Sequence, residues 1–267
     1  MNIHNAGSLR PLAVITGASA GIGEAIASEL HERGYRVHLV ARREDRLVAL
    51  SDTFNERVTD SASYSALDLT DRASCAQLES YLAASDVELL VNNVGRGSYG
   101  DFAALDRDKE EQMVVLNTIV PLRLAHAAIP VLKQQAQKGK RAGIIFLSSI
   151  ASFQPLPFMS TYAATKSFNL SQSLSLREEL RPFGIHVTAV CPGPVETEFG
   201  LVAGAPLGQM KVKVDSASFV ARSALDAFEA NRAVVTPGWR ARCMAYLSML
   251  VPRALSVRLV RAVIAPS

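Results

Sequence analysis

Tyr162 and Lys166 stand four residues apart in the run STYAATKSF (160–168). On a helix that spacing puts a phenol and an amine on one face. Alone, each titrates near ~10, too high for a neutral-pH acid or base. A neighbouring cation favours the phenolate, so the two together could form a proton-transfer pair. An ordinary tyrosine beside a solvated lysine is the alternative, and the surrounding chain must decide between them.

A second candidate lies near the start. TGASAGIG (16–23) places Gly17, Gly21 and Gly23 in the spacing G-x-x-x-G-x-G, after an apolar run and before an amphipathic one. Such a loop lets backbone approach a pyrophosphate and aims a helix N-terminus at it. A glycine turn without a ligand would read alike in isolation, but this context points to a dinucleotide. In LVARRED (39–45) no carboxylate sits at the end of the second apolar run. An acid there would bond the ribose hydroxyls of NAD(H). Arg42 and Arg43 stand there instead, and a guanidinium grips a phosphate through two parallel hydrogen bonds. The pair favours NADP(H) over NAD(H); a solvated arginine pair opening a helix is the competing reading.

These residues need a frame. Short apolar runs at 12–16, 36–40, 64–67, 87–91, 143–147, 185–190 and 233–235 read as strands. Helical patterns at 24–33, 44–57, 71–83, 106–137, 160–181 and 217–230 alternate with them. Thr70 or Asp71 is the expected cap of the third helix, and Pro121 and Pro130 are expected to bend the long one. Near-continuous apolar strands are buried on both faces, so the sheet should be parallel, in a doubly wound α/β fold with ligands at the strands' carboxyl ends. The α/β unit is expected to span 1–236. A helical, amphipathic extension over 237–267, divided by Pro252, is expected to pack on it or on a partner subunit.

The 267 residues are 49% hydrophobic and 20% charged, an ordinary globular balance. A net charge of +3 gives no reason to expect nucleic acid. Cys75, Cys191 and Cys243 are scattered and form no metal-ligand spacing, so reduced thiols, no metal and a cytoplasmic setting are expected. The start, MNIHNAGSLRP, lacks the apolar run of a signal peptide, and no run of about 18 uncharged apolar residues suggests a bilayer-spanning helix. From Ala230 onward there is no Asp or Glu, yet six arginines occur. That tail could cover the active site, meet another subunit, or lie loosely on an anionic membrane.

Taken together, the motifs resemble the short-chain dehydrogenase/reductase family. They are TGASAGIG, LDLTD with Asp68, NNVG (92–95), VVLNTIV with Asn117, IIFLSSIAS with Ser149, the Tyr162/Lys166 pair and CPGPVET (191–197). Ser149 precedes Tyr162 by thirteen residues, as the family requires; Ser148 is one out of register. The resemblance covers roughly residues 10–235 and implies a Rossmann fold on a seven-stranded parallel sheet.

By resemblance, Tyr162 is the general acid/base and Lys166 lowers its pKa and bonds the nicotinamide ribose. Ser149 holds the substrate oxygen, and Asn117 supports a water that relays the proton. Ser19 and Ile22 join the three glycines around the cofactor. Asp68 and Leu69 flank the adenine. Asn93, Val94 and Gly95 line the ribose and nicotinamide side. Pro192, Gly193, Val195 and Thr197 hold the carboxamide and phosphates. Two positions depart from the family pattern: Val94 replaces a common Ala, and Ala20 stands where NADP-binding members often carry a basic residue. The second departure leaves Ser19, Arg42 and Arg43 to select a 2′-phosphate.

The segment after Thr197 matches a substrate lid, with apolar Leu201, Val202, Pro206, Leu207 and Met210. Phe153, Leu156, Phe158 and Met159 offer an apolar wall opposite, so a hydrophobic carbonyl or alcohol is the expected substrate. Reduction of 3-oxoacyl thioesters is an alternative, and a non-catalytic dinucleotide sensor is a third. Family members are commonly homodimers or homotetramers through the helices carrying Asn117 and Tyr162. Tails of this kind resemble those of a branch that includes membrane-associated fatty-acyl and steroid ketoreductases.

Overall fold

The computed structural model describes residues 10–204 and 214–265. Seven strands form one parallel sheet in the order β3-β2-β1-β4-β5-β6-β7. They are β1 (Leu12–Thr16), β2 (Arg36–Ala41), β3 (Ala62–Ala66), β4 (Val87–Asn92), β5 (Gly143–Leu147), β6 (His186–Val190) and β7 (Val234–Val235). The chain starts in the middle, winds outward to β3, then crosses back to β4. That reversal between β1 and β4 opens a crevice at the strands' carboxyl ends, where open α/β sheets take ligands.

Side chains alternate along each strand, so one sheet feeds two cores. Ala13 and Ile15 join one layer with α1 (Gly21–Glu32), α2 (Glu44–Arg57) and α8 (Ala217–Glu229). Leu12 and Val14 join the other with α3 (Arg72–Ala84), α5 (Val120–Gln137) and the end of α6 (Ser160–Leu180). β1, β4 and β5 are wholly buried, and the one charge among them, Glu88 of β4, is paired with Lys140. β3 departs from that pattern: ASYSA is largely exposed, because an edge strand has one open flank. Asp71 caps α3 by accepting from the Ser74 N–H.

The long helical stretch is distorted just before Pro121. α4 (Arg107–Val114) passes into a π-helical turn at Val115–Ile119 before α5 begins. Pro121 comes just after the π turn and Pro130 lies inside α5. Asn117 lies inside the π turn, a distortion that recurs at functional sites. By length and composition alone Arg107–Gln137 would suffice to cross a bilayer, contrary to the expectation from charge spacing. Half of that apolar window is buried in this protein, where Leu124, Ala128 and Leu132 pack into the core.

Beyond the sheet, α7 (Phe199–Val202) is a single turn, and α9 (Trp239–Leu250) and α10 (Arg253–Ile264) meet at Pro252. α9 buries Ala241 and Ala245. α10 is tied back by Ser256 Oγ donating to Gln154 Oε1 at 2.8 Å, and by Tyr99 donating to the Ile264 carbonyl at 2.6 Å.

Candidate active site

The glycine loop is built so tightly that only glycine fits. Gly17 and Gly21 have φ of 70° and 61°, which side chains disfavour. A Cβ on Gly23 would fall 2.2 Å from the Gly17 carbonyl oxygen and 2.4 Å from Asn93 Nδ2. Asn93 Nδ2 donates to the Thr16 carbonyl at 2.8 Å, and Thr16 Oγ1 accepts from the backbone N–H groups of Asn93 and Val94. This lashes the β1 and β4 loops together. Ala20, the N-cap of α1, offers no side-chain acceptor, so the first-turn N–H groups at Gly21, Ile22 and Gly23 lack the usual internal cap. The cradle therefore fits a pyrophosphate, the anion a positive helix end attracts. Thr197 closes its far side: its methyl would stand 2.9 Å from a Cβ on Gly21.

At the end of β2 the two arginines separate. The Arg42 side chain is 70% exposed and stands 3.9 Å from Asp68. Arg43 folds over the glycine loop, donating from Nε to Ser19 Oγ at 3.2 Å and from Nη2 to the Ser19 carbonyl at 3.4 Å. Its Nη1 donates to Glu198. Asp68 accepts from the N–H and hydroxyl of Thr70, which hold its carboxyl below the usual range against the opposing effect of burial. Leu69 buries its side chain in the α3–α5 core layer, leaving Asp68 as the accessible member of that pair.

The catalytic candidates converge between β5 and α6. Ser149 follows β5 and its hydroxyl accepts from the Ala151 N–H at 3.1 Å. Tyr162 and Lys166 occupy the first two turns of α6 and are almost fully buried. Lys166 Nζ donates to the Leu147 carbonyl at 2.7 Å and lies 5.8 Å from the centre of the Tyr162 ring. Ser148, the out-of-register neighbour, donates instead to the Lys166 carbonyl at 2.8 Å and so pins α6 to β5.

Asn117 uses its whole amide on the protein. Its Nδ2 donates to the Arg96 carbonyl and to Thr165 Oγ1, and its Oδ1 accepts from the Arg96 N–H at 3.0 Å. Gly95 must be small, because a Cβ there would meet Asn117 Oδ1 at 3.1 Å and Lys166 Nζ at 3.4 Å.

Burial governs the titration of this pair. It pushes the Tyr162 phenol up to about 12, with the Ser149 hydroxyl pulling weakly the other way. The same burial lowers Lys166 to about 8. In the cofactor-free protein burial is the larger influence on Tyr162, and it acts against the lowering that the resemblance implies from Lys166 and an oxidised nicotinamide. Cys191, also buried, is pushed up to about 11 and is an inert thiol.

The remaining loop residues cluster on the same side. The Pro192 carbonyl accepts from Ile150 N–H at 3.0 Å, while Val195 bridges to Asp215. Ala241 of α9 packs at Gly193, where a Cβ would approach it to 3.1 Å. Half-buried Leu156, Met159 and Phe199 pack against Tyr162, Ala151 and Met113. Phe158 faces Tyr99 with ring centres 6.4 Å apart. Val202 is 71% exposed; Pro206, Leu207, Met210 and the Leu201 side chain lie outside the described residues. Among the described residues no His, Cys, Asp and Glu cluster could hold a metal.

Two site features had no sequence signal that the motifs captured. They are the contact of Glu198 with Arg43 and that of Phe199 with Tyr162. Their positions just after the Thr197 motif were the only available hint.

Residues 11–203 match the short chain dehydrogenase family. A very-long-chain 3-oxoacyl-CoA reductase of Meyerozyma guilliermondii is 34% identical over 67% of this chain. The match spans 54% of that relative, about half its length. A short-chain dehydrogenase from Sphingobium yanoikuyae, solved in complex with NADPH, superposes with a TM-score of 0.79 at 32% identity, covering 91% of this chain and 97% of that one. A bulky-bulky ketone specific alcohol dehydrogenase from Comamonas testosteroni gives 0.76 at 30% identity, covering 92% and 97%.

Proposed function

The chain belongs to the short-chain dehydrogenase/reductase family, oxidoreductases acting on carbonyls and alcohols with a nicotinamide cofactor, and from that premise we propose that it is an NADP(H)-dependent reductase of bulky hydrophobic carbonyl compounds. The observation that carries the cofactor choice is the end of β2: exposed Arg42 and loop-bound Arg43 face the crevice where NAD(H) would need a carboxylate. The NADPH complex of the Sphingobium relative supports it. The wall of Leu156, Met159 and Phe199 beside Tyr162 supports a bulky apolar substrate, as does the ketone specificity in the Comamonas relative's name.

When bound, the nicotinamide exchanges hydride with the substrate carbon. The protein's own groups manage the charge. Negative charge grows on the carbonyl oxygen, and the Ser149 hydroxyl stabilises it as a hydrogen-bond donor. Tyr162, held protonated by burial at neutral pH, is poised to give its proton to that oxygen. Lys166 at about 8 still carries its charge at neutral pH and assists the phenolate left behind. Asn117 anchors the loop beside Lys166 and keeps the implied role of supporting a relay water. The uncapped α1 N-terminus, with Ser19, Asn93, Val94, Gly95, Val195 and Thr197 around it, holds the dinucleotide.

A second reading, 3-oxoacyl-thioester reduction, is favoured by the name of the Meyerozyma relative and by the acid-free tail, which suits an anionic carrier or coenzyme. We assign residues 237–267 to a C-terminal extension, whose described part, 237–265, walls the substrate side through Ala241, Ser256 and Ile264. Its outer face, with Trp239, Tyr246 and Leu250 among arginines, also suits a loose contact with an anionic membrane. Exposed Ile119, Leu122, Phe168 and Leu174 on α5, α6 and the π turn support assembly into homodimers or homotetramers.

The test is separate titration of NADPH and NADH, followed by nicotinamide fluorescence. NADPH should bind more tightly, and Arg42→Ala should remove most of the difference. Equal binding would refute the cofactor assignment. Tyr162→Phe should bind NADPH within about twofold of wild type while losing about 10²–10⁴-fold in ketone reduction. Cofactor-dependent function surviving in that variant would favour a sensor.

A further inference from the structure

Glu198 follows the Thr197 motif and belongs to none of the assigned sets. Its Oε2 accepts from Arg43 Nη1 at 2.7 Å and its Oε1 from Arg46 Nη1 at 2.8 Å. One carboxylate thus joins the root of the lid segment to two arginines of the α2 start, more than 150 residues away in sequence. The opposite edge of Arg43 is spent on Ser19 of the glycine loop. The next residue, Phe199, lays its ring 5.3 Å from the ring of Tyr162.

We infer that Glu198 is an internal competitor for the 2′-phosphate of NADP(H) at Arg43, and so sets how strongly the protein discriminates NADP(H) from NAD(H). The inference rests on the NADP(H) reading above. A carboxylate and a phosphate seek the same guanidinium N–H groups. With Glu198 in place, two of the three arginines here already share an anion, and the third, Arg42, faces Asp68 at 3.9 Å. An arriving phosphate meets that negative charge and must displace it or bind beside it. NAD(H) carries no group at that position and is indifferent to it. The partners are exposed, 40% for Arg43 and 47% for Glu198, so exchange of one anion for the other needs no unfolding.

Glu198→Gln keeps the shape and removes the charge. NADPH, NADH and 2′,5′-ADP are titrated into wild type and variant at low ionic strength. NADPH and 2′,5′-ADP should each bind about fivefold tighter or better to the variant, with NADH unchanged within about twofold. The gain should shrink at high salt, where such exposed charges are screened. In an Arg43→Gln background the same substitution should alter the NADPH/NADH ratio far less. An unchanged ratio overturns the inference. So does weaker NADPH binding, which would make Glu198 a positioner of Arg43. Wild type binding both cofactors equally, with the variant gaining a preference for NADPH, would sustain the role of Glu198 while refuting the NADP(H) preference itself.

Discussion

Lys166 Nζ donates a hydrogen bond to the backbone carbonyl of Leu147 at 2.7 Å, from a position almost wholly out of solvent. That bond fixes the amine between the end of β5 and the Tyr162 ring. It is the reason the pair behaves as a buried unit and not as two surface groups. Burial then sets the resting protonation state: a phenol that keeps its proton, and an amine that loses its own more readily than in water.

The pH dependence of stability follows. Lys166 has its folded value lowered to about 8, so its cost to the folded state is full below pH 8 and is relieved as pH rises toward 10.5. Tyr162 has its value raised to about 12; its contribution is complete below pH 10 and is lost as pH climbs from 10 to 12. Denaturant unfolding of wild type against Lys166→Met should therefore show wild type gaining relative stability between pH 8 and 10.5. A difference that stays flat across that interval would show that Lys166 is not desolvated.

The adjacent serines should separate chemistry from structure. Ser149→Ala removes a hydroxyl beside the phenol and the cap on the Ala151 N–H, and should cost about 10²–10³-fold in kcat together with about 1 kcal/mol of stability. Ser148→Ala removes a buried bond to the Lys166 carbonyl and should lower stability by about 1 kcal/mol while leaving most of the activity. Equal kinetic losses in both variants would show that the register of this pair has been misjudged.

Gly23→Ala tests the cradle. Its new methyl group would overlap the Gly17 carbonyl oxygen at 2.2 Å, a contact that forces β1, its loop and α1 apart. The cost should reach about 3 kcal/mol, seen as a drop of roughly 6–12 °C in Tm, with loss of NADPH binding. A variant that melts within 2 °C of wild type and binds cofactor normally, by differential scanning fluorimetry and titration, would show that the loop opens freely (a flexibility the packing argues against).

The sequence alone determined the parts that depend on local pattern. Unbroken apolar runs gave the strands of the parallel sheet, and the glycine spacing located the loop between β1 and α1. A four-residue step placed Tyr162 and Lys166 on one helix face, whereas the choice of Ser149 over Ser148 rested on the family resemblance. Pro252 marked the division of the tail. Each is legible because helix and strand periods are fixed by the backbone and are indifferent to distant residues.

What only the tertiary structure decided is where electrostatics and packing join separated segments. The π turn at Asn117, the burial that raises Tyr162, the bond from Arg43 to Glu198 and the tilted contact of Phe199 with Tyr162 all arise from contacts across the fold. A pKa depends on how much water the fold removes as well as on which charge stands near, and no spacing in a sequence encodes that removal.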